Sequence, residues 1–177
     1  MYAEHTIESA PPASRRLMQA TVQHRGYLPA AVARLAESPQ LLTGFLKASG
    51  IFEAATLEPI AREVVIMTIA TRNDCHLCVA MHTQRLAALN ADPGLIAALR
   101  TQQPLTDERL EAVRTFTLAL LASTGAVTDA ELAAFQSHGY TAENALEVVL
   151  GIGTYTMSTL ANRLVRAPLD AELSEYA

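Results

Sequence analysis

Residues 62–83 read REVVIMTIATRNDCHLCVAMHT. Two helical runs meet in this stretch, and Asn73-Asp74 separates them. The first is apolar nearly all round: Val64, Val65, Ile66, Met67, Ile69 and Ala70. A helix with that pattern is buried on most sides. The second run starts at Cys75 and is expected to reach about Asn90. Advancing roughly 100° per residue from Cys75 puts Cys78 at about 300°, His82 at about 340°, Leu86 at about 20° and Leu89 at about 320°. Both sulfurs, the imidazole and two leucines therefore share one stripe, and the leucines turn it inward. His76 falls on the other side with Thr83 and Gln84, and is expected to be exposed.

The stretch holds both cysteines of the 177-residue chain. C-x-x-C spacing lets two sulfurs exchange between dithiol and disulfide, and tunes their pKa. Cys78 and His82 stand at i and i+4, so their side chains can meet. An imidazole there can take the thiol proton. Cys75 stands at the helix entry beside Asp74, read as its cap, where free backbone amides favour a negative sulfur. The dipole thus favours Cys75 as nucleophile, and the histidine favours Cys78. Glu63 lies among apolar neighbours on the preceding helix. A carboxylate there needs a partner, or its pKa rises. A buried glutamate near a histidine and two thiols is a candidate proton relay. Taken singly, each residue has a structural reading: a small core thiol, a core histidine, a solvated acid. Their common register is what points to chemistry.

Outward from this stretch the chain reads as helices with almost no strand signal. Residues 1–12 read as a flexible arm with Pro11 and Pro12. Residues 13–177 read as one all-α domain. Helices are expected from about Ala13 to His24, a short one after Pro29, and one from Ser38-Pro39 to about Glu53. Thr56 or Leu57 starts the next, which runs to about Arg72. Asp92-Pro93 opens a short helix, and Thr106-x-x-Arg109 opens another, through Leu121. Thr128-x-x-Glu131 is a capping box, and Thr141 caps the last long helix, to about Arg166. Pro168 and an acidic tail follow. Gly151, Thr154, Ser158 and Ala161 line one side of the last helix, a pattern read as core packing with a subunit contact as the alternative. His138 and His24 stand near helix ends, where a cation suits the dipole, and His5 lies in the arm.

Composition narrows the function. Half the residues are hydrophobic and 18% charged, and the net charge is -5. So few charges on so apolar a chain predict a homo-oligomer. The negative balance argues against nucleic acid or an anionic membrane as partner. The opening MYAEHTIESAPP has acids and prolines rather than a basic end and an apolar run. No leader is expected, and the cytoplasm is the expected compartment. No phosphate loop, serine nucleophile elbow or dinucleotide fingerprint is present, so no cofactor is expected.

Glu63, Cys75, Cys78 and His82 together spell E-x11-C-x2-C-x3-H. This resembles the signature of the alkylhydroperoxidase D (AhpD)-like, carboxymuconolactone decarboxylase family, and the likeness covers about residues 40 to 125. The resemblance implies an all-helical AhpD-like fold assembling as dimers, trimers or hexamers. It implies a peroxiredoxin-type thiol peroxidase with an antioxidant role, a hydroperoxide substrate and an external dithiol reductant. Carried over, Cys78 attacks peroxide, Cys75 resolves, and His82 and Glu63 relay the proton. Two other readings stand beside it. One is a metal-binding module of Cys75, Cys78 and His82, with Glu63 as a fourth ligand. The other is a non-redox carboxymuconolactone decarboxylase-like enzyme on a small acid.

Overall fold

The computed structural model describes residues 2–177, and among them there is no strand. Nine α-helices follow in order: α1 Pro12–Arg25, α2 Ala30–Leu35, α3 Pro39–Glu53, α4 Pro59–Arg72, α5 His76–Ala88, α6 Pro93–Arg100, α7 Glu108–Ser123, α8 Asp129–Ser137 and α9 Ala142–Leu164. A 3-10 helix, Ala171–Tyr176, ends the chain. None of these helices is long and apolar enough to cross a membrane.

The all-round apolar run becomes the central helix. In α4 every residue from Glu63 to Ala70 is buried. It packs on α9, α5, α7, α6 and α3. The main core gathers Val64, Val65, Met67 and Ile69 with Phe52, Leu86, Val113 and Val148. A second cluster around Met18, Leu35 and Leu42 joins α1–α3 to the end of α9.

Most boundaries obey the local signals. The Ser38 side chain accepts from Leu41 N, and Asp92 accepts from Gly94 and Leu95 N. Thr128 and Thr141 each complete a capping box. Others shift for tertiary reasons. α4 starts at Pro59, later than Thr56, because the Thr56 and Leu57 amides donate to the Glu147 carboxylate on α9 at 2.6 and 2.9 Å. α7 is capped by Asp107 rather than Thr106.

The two chain ends cover parts of the surface. His76 is exposed, whereas Thr83 on the same side of α5 is buried. The acidic tail is the cause. It folds back on α5, buries Leu173 beside Leu77 and Ala80, and is tied down by Arg100, which donates to the Tyr176 and Ala177 carbonyls at 2.7 Å and to Thr83 Oγ1 at 3.1 Å. The N-terminal arm lies against α2: His5 N donates to Ala33 O at 3.3 Å, His5 Nε2 meets Glu37 at 2.7 Å, and Ala10 is buried.

Candidate redox site

The site stands on the turn between α4 and α5, which α9 braces. Asp74 adopts a left-handed backbone with φ of 52°. It does not cap α5; Cys75 itself is the N-cap residue. Asp74 is engaged by Arg163, which donates to its carbonyl at 2.8 Å and meets its carboxylate at 3.1 Å. Arg163 also donates to Asn73 O, and Asn73 Nδ2 donates to Thr159 Oγ1 at 2.8 Å. Cys75 therefore sits at the cap and Cys78 is the third residue of α5. Both lie where the first amides of a helix have no internal partner and favour negative charge. The dipole does not separate the two cysteines.

Cys75 and Cys78 are joined as a disulfide, with Cα atoms 5.3 Å apart. Both residues are buried. Their surroundings differ. Cys78 lines a cavity of about 420 Å³ together with His82, Tyr155, Ser158 and Asn162. The rest of that cavity is largely apolar, with Leu17, Leu35, Leu42, Phe45, Leu46 and Ile66 in its wall. Cys75 lines a separate outer cleft with Asp74, His76, Arg163 and Arg166. Asn162 borders both spaces.

Glu63 and His82 do meet. His82 Nδ1 lies 2.7 Å from Glu63 Oε2, and their side chains are 14% and 8% exposed. With Nδ1–H donated to the carboxylate, Nε2 is the ring atom left to exchange a proton. Arg85 Nε stands 3.9 Å from the other Glu63 oxygen, so a guanidinium as well as the imidazole faces the buried acid. Cys78 Sγ has Asn162 Nδ2 as its hydrogen-bond donor, at 3.4 Å. The Tyr155 ring stands edge-on to the imidazole, centroids 5.4 Å apart, and its hydroxyl pairs with Ser49 Oγ at 3.3 Å. Burial pushes the Tyr155 phenol up to about 12, so it is uncharged across the physiological range.

The motif residues are thus neighbours, from α4 and the first half of α5: Glu63 pairs with His82, Cys75 with Cys78, and Cys78 and His82 line one cavity. Sequence reasoning missed the α9 contribution: Tyr155, Ser158 and Asn162. It placed Ser158 in a small-residue stripe read as packing, and that stripe does face inward, since Gly151, Thr154, Ser158 and Ala161 are all buried. Asn162 follows one turn beyond Ser158 on a buried face that also carries Thr154 and Thr159, so no sequence pattern singles it out. Among the described residues, no group of three or more His, Cys, Asp or Glu is placed to hold a metal ion.

The carboxymuconolactone decarboxylase family model matches residues 36–116. No curated protein matches the chain. Solved structures do. A peroxidase-related protein from Ralstonia eutropha JMP134, described as an alkylhydroperoxidase AhpD core, superposes with a TM-score of 0.86 at 19% identity, covering 97% of this chain and 93% of that one. A peroxidase-related protein from Silicibacter sp. TM1040 gives 0.80 at 17% identity, again over 97% and 93%. The debrominase Bmp8, in complex with 2,3,4-tribromopyrrole, gives 0.76 at 16% identity over 99% and 95%. At these identities the likeness is one of fold.

Proposed function

We propose that this chain, whose residues 36–116 match the carboxymuconolactone decarboxylase family model and whose fold is AhpD-like, is a thiol-dependent peroxidase acting through Cys78 and Cys75. The supporting observation is the sharing of one apolar cavity by Cys78 and His82, with His82 held by buried Glu63.

The chemistry begins with the reduced pair. His82 takes the Cys78 proton, and the thiolate attacks the terminal oxygen of a hydroperoxide, ROOH. The O–O bond breaks. RO⁻ takes the proton from His82 and leaves as ROH, and Cys78 becomes a sulfenic acid. The Cys75 thiolate then attacks the Cys78 sulfur. The S–O bond breaks, and the departing hydroxide takes a proton and leaves as water. The product is the Cys75–Cys78 disulfide. An external dithiol gives two electrons and two protons to restore the pair and becomes a disulfide itself. The largely apolar wall favours an organic hydroperoxide over hydrogen peroxide, since an apolar R group gains from leaving water.

The same reading places the protein in the cytoplasm, where dithiol reductants keep such pairs cycling. It works there as a homo-oligomer with an antioxidant role. Support for assembly comes from α9. Leu146, Val149, Leu160 and Leu164 are 47–71% exposed. Leu146, Leu160 and Leu164 fall with Leu150 and Met157 on one heptad-spaced row, with Val149 beside it, the pattern of a helix seam that covers itself with another helix.

Stopped-flow loss of thiolate in the reduced protein, against cumene hydroperoxide and hydrogen peroxide, tests the reaction. One equivalent of peroxide should be consumed and one disulfide formed. Cys78→Ser should abolish the reaction, and Cys75→Ser should stop it at a sulfenic acid that dimedone traps. A brominated pyrrole in the same panel checks the alternative that the pair removes halogen. Activity on any of these substrates that survives loss of both cysteines would sink the proposal.

A further inference from the structure

Asn162 is a buried amide at the border between the cavity and the outer cleft. It lies on α9, 84 positions from Cys78, and is 5% exposed. Its Nδ2 has two acceptors, Cys78 Sγ and Ser158 Oγ, each at 3.4 Å. Its Oδ1 is enclosed and, among the described residues, has no hydrogen-bond partner. Native proteins seldom leave a buried amide oxygen unpaired, because it has given up water and gained nothing. Such an atom marks a group whose partner belongs to another state of the site.

The other states are defined by the chemistry. In the disulfide, neither sulfur carries a hydrogen. During peroxide reduction the oxygen bonded to or approaching Cys78 Sγ does carry one, first as the terminal O–H of the hydroperoxide and then as the S–O–H of the sulfenic acid. A group already touching Sγ is within reach of that hydroxyl. Asn162 also lines the cavity that holds Cys78 and His82.

Resting on the peroxidase reading, the geometry points to Asn162 as a fifth catalytic residue that clamps the transferred oxygen. Nδ2–H donates to the Cys78 sulfur and steadies its negative charge. Oδ1 accepts from the hydroxyl of the attacked oxygen and aims that oxygen at the sulfur. When the sulfenic acid forms, the same oxygen holds its O–H until Cys75 displaces hydroxide. Disulfide formation removes the hydroxyl and leaves Oδ1 unpaired, as the oxidised structure has it. The His82–Glu63 pair moves the proton, and Asn162 sets the line of attack.

The test separates aim from thiolate reactivity. Reduced wild-type protein, Asn162→Leu and Asn162→Ala are each treated with cumene hydroperoxide and with iodoacetamide, which alkylates a thiolate without needing an oriented O–O bond. Rates are taken above the Cys78 titration, so that thiolate fractions match. Removing one preorganised hydrogen-bonding group typically costs about 10²-fold or more. The peroxide rate constant should fall by about that factor, while alkylation changes several-fold at most. Asn162→Ala adds no bulk and carries the same reading if the leucine variant fails to fold. Equal falls in both reactions, or a variant as fast as wild type with peroxide, would overturn this inference and leave the peroxidase reading intact. A wild type inert to every peroxide yet readily alkylated would overturn both.

Discussion

His82 has one ring nitrogen committed to Glu63, at 2.7 Å. Under the proposed cycle that commitment orients the ring and leaves the other nitrogen for the thiol proton. His82→Ala should therefore raise the Cys78 thiol toward the free value of about 8.5. It should slow peroxide reduction at neutral pH by roughly 10²–10⁴. Glu63→Gln keeps the volume and a hydrogen-bonding oxygen but removes the anion that favours an imidazolium. It should displace the pH–rate profile with little loss of helix. Thiolate absorbance against pH in the three proteins measures both effects. An unmoved Cys78 titration in the two variants would reduce the pair to packing and leave the helix N-terminus as activator. The reach from Cys78 to His82 was legible as an i, i+4 relation, because both lie on one helix. The partnership of Glu63 with His82 was legible only as a need, since a buried acid must find a partner somewhere. Asn162 was not legible at all, because its relation to Cys78 is created by packing α9 across the site.

Helix α9 does the positioning at the next scale, and two of its glycines show how differently its faces are used. A Cβ on Gly151 would stand 2.7 Å from the Phe52 ring and 3.0 Å from Val65 Cγ1, while one on Gly153 would meet nothing. Phe52 is fully buried and has no room to retreat. Gly151→Ala should destabilise the protein by about 1–3 kcal/mol. Gly153→Ala, on the exposed side, should be neutral or stabilising by about 0.5–1 kcal/mol. Urea melts of both variants make the comparison, and equal effects would mean that α9 lies less tightly on α3 than described. Glu147, on the same helix, holds the entry to α4. Burial alone would raise its pKa, but the Thr56 and Leu57 amides and the Thr56 and Asn144 side chains outweigh burial and lower it. A carboxylate depressed in the folded state contributes stability above its unfolded pKa and loses it as pH falls through the folded one. Glu147→Gln should thus cost about 1–2 kcal/mol at pH 7. Its deficit should shrink as pH drops below the normal carboxylate range. A deficit constant from pH 7 to pH 3 would rule out the charge as its origin.

At the scale of the whole molecule, the cavity and the outer cleft open on different sides of one disulfide. Cys78 faces the largely apolar space, and Cys75 faces the one that carries Arg163 and Arg166. Oxidant and reductant need not share an entrance under the proposed cycle. The proposed assembly rests on the apolar row of α9, so it makes a clear demand in solution. Light scattering at micromolar concentration should give a multiple of the 19.0 kDa chain mass. Leu160→Glu with Leu164→Glu should lower that multiple without changing helix content, since both side chains are exposed. A monodisperse wild-type monomer would remove the oligomer from the proposal.

Periodicity, caps and short spacings were enough to determine the all-α class, the helix order, the burial of α4 and the placing of Cys78 and His82 along one side of α5. These depend on backbone geometry within one or two turns, which a linear pattern records directly. Whatever depends on helices meeting was decided only in three dimensions. The delayed start of α4 comes from Glu147, the burial of Thr83 from the returning tail, and the different surroundings of the two sulfurs from α1–α3 and α9 closing over Cys78. Each couples residues that are dozens of positions apart. Local propensity carries no term for such contacts, and the close packing of the core supplies it.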